Sequence, residues 1–134
     1  MNKGSKQLRK GRVSIPGAWY FLTTFKAERF DRLDKEDSFR IIEGMMTDFE
    51  REGVWEWQVF VVMPDHFHAV IRLGDRLGLS PSVQKFKSIT AIEINRQKGR
   101  SGAVWYPGFY DRMMRTDEER AGYVRYIAMN PVKK

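Results

Sequence analysis

The sequence predicts an α+β fold: a ferredoxin-like βαββαβ antiparallel sheet with helices on one face, plus a C-terminal helix. Three observations carry this. Several segments are rich in aromatic and β-branched residues, two long segments place apolar residues at helical spacing, and the elements follow one another as β-α-β-β-α-β-α. Two crossover helices in that order give the split βαβ arrangement. At 134 residues, with no internal repeat and no long linker, the chain is a single domain.

The first strand follows the Pro16-Gly17 turn and runs from Trp19 to Phe25. From Lys35 to Glu52, Phe39, Ile42, Met45, Met46 and Phe49 recur at helical spacing, and Gly53 supplies the stop. The second strand, Val54 to Met63, alternates so that Trp55, Trp57, Val59, Val61 and Met63 share one face. Pro64-Asp65 turns the chain into a third strand, His66 to Leu73. Ser80-Pro81 reads as a cap followed by proline at the first helical position, opening a helix to about Gln97 that buries Val83, Phe86, Ile89 and Ile92. Gly99 and Gly102 end it, and a short fourth strand lies near Phe109 to Arg115. Thr116-Asp-Glu-Glu119 is a capping box for a last helix that must stop near Asn130, because Pro131 follows.

Composition narrows the function classes. With 42% hydrophobic and 31% charged residues the chain is globular, and without cysteine it has no disulfide scaffold, zinc ribbon or thiol nucleophile. Residues 1–12 are basic and 13–25 uncharged, which mimics a secretory leader; Pro16-Gly17 and the charges at Lys26, Glu28 and Arg29 argue instead for a basic arm feeding a strand. The longest apolar run, Val59 to Met63, is far short of a membrane span, so the expectation is a cytoplasmic protein without a membrane partner.

The net charge of +7 is unevenly spread. The arm holds Lys3, Lys6, Arg9, Lys10 and Arg12 without an acid. Residues 26–76 carry eight basic and twelve acidic residues, whereas Lys85, Lys87, Arg96, Lys98, Arg100, Arg112 and Arg115 face only Glu93 and Asp111 in 85–115. One positive face for a polyanion would explain this pattern; a solvated basic surface explains it equally well. Trp105, Tyr106, Phe109 and Tyr110 could stack on unpaired bases or pack in the core.

The only two histidines stand two apart, at His66 and His68. On a strand both imidazoles share one face, with α-carbons ~6.6 Å apart, close enough to converge on one divalent ion. A polar pair on a solvated strand would look the same, but this strand is otherwise valine, isoleucine and aromatic, where unsatisfied imidazoles are costly. Tyr126 and Asn130 are four apart on the last helix and so share a face, offering a phenolic nucleophile and an amide oxygen. Tyr123 fits packing better. Asp65 could support a histidine or simply make the turn.

These residues resemble a known family. Pro64-Asp-His-Phe-His-Ala-Val70 is similar to the histidine-hydrophobic-histidine (HUH) motif of single-tyrosine transposases of the insertion-sequence 200-like superfamily. Gly17 to Thr23, Trp105 to Arg112, and Tyr126-Ile-Ala-Met-Asn-Pro-Val132 resemble, in order, blocks of its REP-associated tyrosine transposases. The resemblance covers Gly17 to Val132 and implies an enzyme that cuts and rejoins single-stranded DNA beside hairpins. It implies Mg²⁺ or Mn²⁺ on His66 and His68, Tyr126 as nucleophile, and Asn130 completing the metal site. It also implies the same ferredoxin-like fold, acting as a monomer or homodimer, with the tyrosine helix serving its own or a partner's site. Such relatives continue beyond the Asn-Pro-Val block, where this chain stops at Lys134.

Two other readings stand beside this one. A non-catalytic domesticated transposase that binds hairpin DNA or RNA needs the basic surface but neither Tyr126 nor a metal. A small metallohydrolase would use His66 and His68 alone, although no carboxylate is obviously placed as its general base.

Overall fold

Gly17, at φ 85°, turns the chain so that its N–H reaches the Leu73 carbonyl (2.7 Å), and the first strand, β1 (Trp19–Phe25), starts from that anchor. In the computed structural model, which describes residues 14–129, the remaining elements are α1 (Glu36–Arg51), β2 (Trp55–Val62), β3 (His66–Leu73), α2 (Leu79–Lys98), β4 (Tyr110–Met114) and α3 (Asp117–Met129). The sheet order is β2-β3-β1-β4 and every neighbouring pair is antiparallel. Each crossover helix therefore skips one strand, as the ferredoxin-like reading of the sequence requires.

Period two divides the sheet into two faces. Tyr20, Leu22, Phe67, Ala69 and Ile71 pack with Ile42, Met46, Phe49, Phe86 and Ile94 of α1 and α2, forming the main core. The opposite face carries a smaller cluster in which Val61, Val70 and Met114 meet Ile127 of α3. Two helices thus cover one face and the C-terminal helix covers part of the other.

Three local expectations are corrected. The expected single face from Trp55 to Met63 is interrupted by a register shift between Trp57 and Val59. Trp57 opposes Ile71 and Val59 opposes Val70, so Gln58 is the extra residue of a bulge. The bulge lets Trp55, Trp57, Phe60 and Val62 join the main core while Val59, Val61 and Met63 face α3. At α2, the helix begins at Leu79 rather than behind a Ser80 cap; the Ser14 hydroxyl, 65 residues away, accepts from the Leu79 N–H (2.9 Å). Pro81 sits inside the first turn, where its missing N–H costs nothing. Ile92 is 56% exposed, because the buried stripe of α2 runs through Val83, Phe86, Thr90 and Ile94.

At the start of α3 the Glu119 N–H donates to the Thr116 hydroxyl (3.0 Å), as a cap requires. The Glu119 carboxylate returns to the Arg115 N–H (3.0 Å), one residue before the usual reciprocal partner.

Candidate active site

β3 lies between β1 and β2, and His66 and His68 both point to the face on which α3 lies. Their rings are 4.6 Å apart at 70°. His68 is 6% exposed; it stacks on Phe21 (5.1 Å, 28°), and its Nδ1 is 2.8 Å from the Thr23 hydroxyl, directly across the strand pair. His66 Nδ1 is 2.7 Å from the Asp65 carboxylate. With both Nδ1 atoms facing protein oxygens, a proton on Nδ1 leaves each Nε2 lone pair for a ligand.

Burial, reinforced by the neighbouring His66, pushes the His68 pKa down to about 4, against the opposing effect of the Leu22 carbonyl. The His66 hydrogen bond holds the Asp65 carboxyl below its ordinary value. His68 is therefore neutral at physiological pH, the state a metal ligand needs.

Tyr126 arrives from α3, anchored one residue on by fully buried Ile127. Its ring is 5.6 Å from that of His68 at 64° and 6.3 Å from Phe21. At 53% exposure it is open to a macromolecular substrate. Tyr123 stacks on Phe21 at 4.4 Å, the packing role that the sequence favoured. An open cavity of about 410 Å³ lies among Phe21, His68, Glu118, Gly122, Tyr123 and Tyr126.

Asn130 lies outside the described residues, as do Lys3, Lys6, Arg9, Lys10 and Arg12. Among the described residues no group of three His, Cys, Asp or Glu side chains could hold a metal. What the site presents is an adjacent imidazole pair with one member kept neutral. That donor set fits a divalent cation whose remaining ligands are oxygens.

The basic residues named from sequence fall into several places. Lys85, Arg96, Lys98 and Arg100 belong to α2 or its C-terminal end, on the far side of the sheet from the histidines. Lys98 pairs with Asp37 (3.4 Å), and Arg100 hydrogen-bonds Asn95 (2.6 Å) over the Phe30 ring. Lys87 is not a surface cation: it is buried, and its ammonium donates to the Tyr106 and Gly108 carbonyls (2.8 and 2.7 Å). Trp105 is not a stacking platform: it is buried, with Nε1 donating to the Thr90 hydroxyl (2.9 Å). Tyr110 is 43% exposed, and exposed Arg112, opposite Phe21, pairs with Glu119 (2.6 Å). Arg115 is exposed at the entry to α3. A single basic face is therefore not assembled by these residues.

Sequence reasoning missed Phe21 and Thr23, the residues that hold His68, and Glu118, which lines the same cavity as Tyr126. The signal for the first two was available: they stand two apart on β1 and so share a face, with Thr23 directly opposite His68 and Phe21 opposite Val70. A cavity of about 870 Å³ between α1 and α2, on the opposite face, is bordered by Glu36, Asp37, Asp48, Glu52 and Glu93 against a single Arg40, and its charge disfavours a polyanion. Among the described residues no helix is long and apolar enough to cross a membrane.

Comparison with known proteins bears on the family and the fold. A REP-associated tyrosine transposase of Escherichia coli is 23% identical over 117 residues, covering 87% of this chain and 67% of that protein. A Haemophilus influenzae protein provisionally named as a REP-associated tyrosine transposase is 28% identical over 89 residues, 59% of this chain. The match spans only 51% of that relative's length. Among solved structures, a REP-associated tyrosine transposase bound to a REP hairpin superposes with a TM-score of 0.73 at 24% identity, covering 91% of this chain and 71% of that one. Residues 16–130 match the family profile described as "Transposase IS200 like", and the chain belongs to that family.

Proposed function

We propose that this protein cuts and rejoins single-stranded DNA beside hairpins, using Tyr126 as nucleophile and a divalent cation, Mg²⁺ or Mn²⁺, held by His66, His68 and Asn130. The observation that carries the reading is the approach of two elements distant in sequence. The exposed Tyr126 phenol on α3 lies one ring away from His68, and His66 is the next ring along the same open face. Family membership and the hairpin-bound relative support the substrate class.

When bound, the cation polarises a phosphate oxygen and orients the scissile bond. The chain's own residues do the rest. Thr23 and Asp65 fix the two imidazole rings through their Nδ1 atoms, and Phe21 and Tyr123 set the distance between α3 and the sheet. The Tyr126 oxygen attacks phosphorus, forming a bond to the 5′-phosphate as the bond to the neighbouring 3′-oxygen breaks. The phenolic proton ends, through solvent, on the departing 3′-hydroxyl. One phosphodiester replaces another, so attack by a second 3′-hydroxyl reverses the step without a nucleotide cofactor. Exposed Arg112 and Arg115, close to the start of α3, are suited to flanking phosphates.

The test is a denaturing gel after incubation with a single-stranded hairpin oligonucleotide and Mg²⁺ or Mn²⁺. A covalent protein–DNA adduct that disappears with chelator and in Tyr126→Phe is expected. Binding without an adduct would assign the chain to the non-catalytic class instead, and metal-dependent hydrolysis indifferent to Tyr126→Phe would make it a metallohydrolase.

A further inference from the structure

Beyond the phenol and the imidazoles, a second feature of the same end of the sheet has no role in the chemistry above. Phe25, Tyr106 and Tyr110 are 39%, 40% and 43% exposed, three large aromatic residues left in water together. They border a cavity of about 360 Å³ completed by Lys26, Glu28 and Pro107. Phe25 meets Tyr110 edge to face (6.2 Å, 87°) and lies 5.9 Å from the His66 ring. The cavity therefore opens one ring away from the imidazole pair.

Its walls are braced. The Tyr106 N–H donates to the Phe25 carbonyl (2.8 Å), Lys26 bridges to Trp105, and the Lys26 N–H donates to the Asp65 carbonyl (3.0 Å). The buried Lys87 ammonium fixes the Tyr106 and Gly108 carbonyls from behind, and Gly108 takes φ 85°. Exposed aromatic rings on a braced loop form a preorganised surface, and a flat π-system loses little entropy on binding to one.

We propose that this slot is a subsite for one unpaired nucleobase next to the scissile phosphate, and that it favours bases bearing an exocyclic amine. The proposal rests on the proposed DNA function. A base filling the slot would lie beside His66, where the proposed function puts the scissile phosphate, and a nucleotide provides both on one backbone. The aromatic walls supply stacking faces, while the Glu28 carboxylate bordering the slot accepts from the exocyclic amine of cytosine or adenine; at that position thymine presents its O4 carbonyl, an acceptor that a carboxylate repels.

The experiment uses the full chain carrying Tyr126→Phe, with Mg²⁺, so that no covalent step intervenes. Fluorescence anisotropy measures binding of fluorescein-labelled five-nucleotide strands, all-cytosine, all-thymine or abasic. Tyr106→Ala and Tyr110→Ala should each weaken the all-cytosine strand by about 5- to 150-fold and leave the abasic strand unchanged. Tyr106→Phe and Tyr110→Phe should retain binding, and Glu28→Gln should remove the preference for cytosine over thymine. Unchanged affinity in the alanine variants, or an equal loss on the abasic strand, overturns the subsite; a preference that survives Glu28→Gln overturns its selectivity. An adduct on the hairpin in protein that keeps Tyr126, with no effect of the slot variants on binding, sinks this inference alone. Slot-dependent binding, with no adduct in protein that keeps Tyr126, sinks the nicking chemistry alone.

Discussion

The metal-free protein should lose stability through His68 as pH falls. Its unfolded pKa is the ordinary 6.5 and its folded pKa is about 4, lowered first by burial and then by His66. Above pH 6.5 both states are neutral and the full stability is present. As pH falls below 6.5 the unfolded chain takes up a proton that the folded chain refuses, and stability declines until the folded ring also protonates near pH 4. A shift of that size is worth about 3 kcal/mol. The ring is 6% exposed, so solvent screening takes little from the figure. Urea denaturation of the chelator-treated protein at several pH values, set against His68→Gln, isolates the effect from other groups. The wild-type advantage should grow by about 3 kcal/mol from pH 4 to pH 7, and Mn²⁺ should raise wild-type stability at pH 7 but not that of the variant. A difference between the two proteins that stays flat with pH would refute the assignment of a buried, neutral ring.

Three further changes probe the frame that holds the site. Gly74→Ala should cost about 2 kcal/mol in urea denaturation, because a Cβ there would meet the Gly53 carbonyl in a loop closed by the Gly74 N–H donating to the Val54 carbonyl (3.0 Å). Ser14→Ala removes the acceptor at the start of α2 and should cost ~1 kcal/mol, read as a lower thermal midpoint. Lys87→Met keeps the aliphatic stem but frees two carbonyls; a loss of roughly 1.5–3 kcal/mol and faster proteolysis at residues 106–108 are expected, whereas wild-type proteolysis rates would show that the loop does not depend on the ammonium.

What the sequence made legible was whatever depends on a short period. The histidine pair needs only the strand's period of two, Tyr126 needs only a helix that starts at Thr116, and the order of elements needs only their separate patterns. What stayed hidden depends on partners far along the chain. No local pattern announces that Ser14 caps a helix starting at residue 79, or that Lys87 reaches past its own helix to two loop carbonyls. Lys87 and Thr90 concealed the buried stripe of α2 by placing polar atoms in it, which is how Ile92 came to be expected inside.

The bulge at Gln58 is the most consequential of these omissions. Were Gln58 paired instead, Trp57 and Val59 would share a face, and either a tryptophan would crowd the α3 side or the main core would lose Phe60 and Val62. With the bulge, the small side chains of Val61, opposite His68, and Val59, opposite Val70, face α3 and leave it room to approach. The distance between Tyr126 and the imidazoles is thus set partly by the facing of a neighbouring strand. Deleting Gln58 should remove the bulge yet keep Trp57 opposite Ile71 and Val59 opposite Val70, so Trp57 stays in the main core, α3 keeps its seat and adduct formation persists. Replacing Gln58 by two residues, of which the bulge takes up one, should instead throw Val59 and Val61 onto the core face and abolish the adduct, and an active insertion variant would show that the facing of this strand has no part in positioning the phenol.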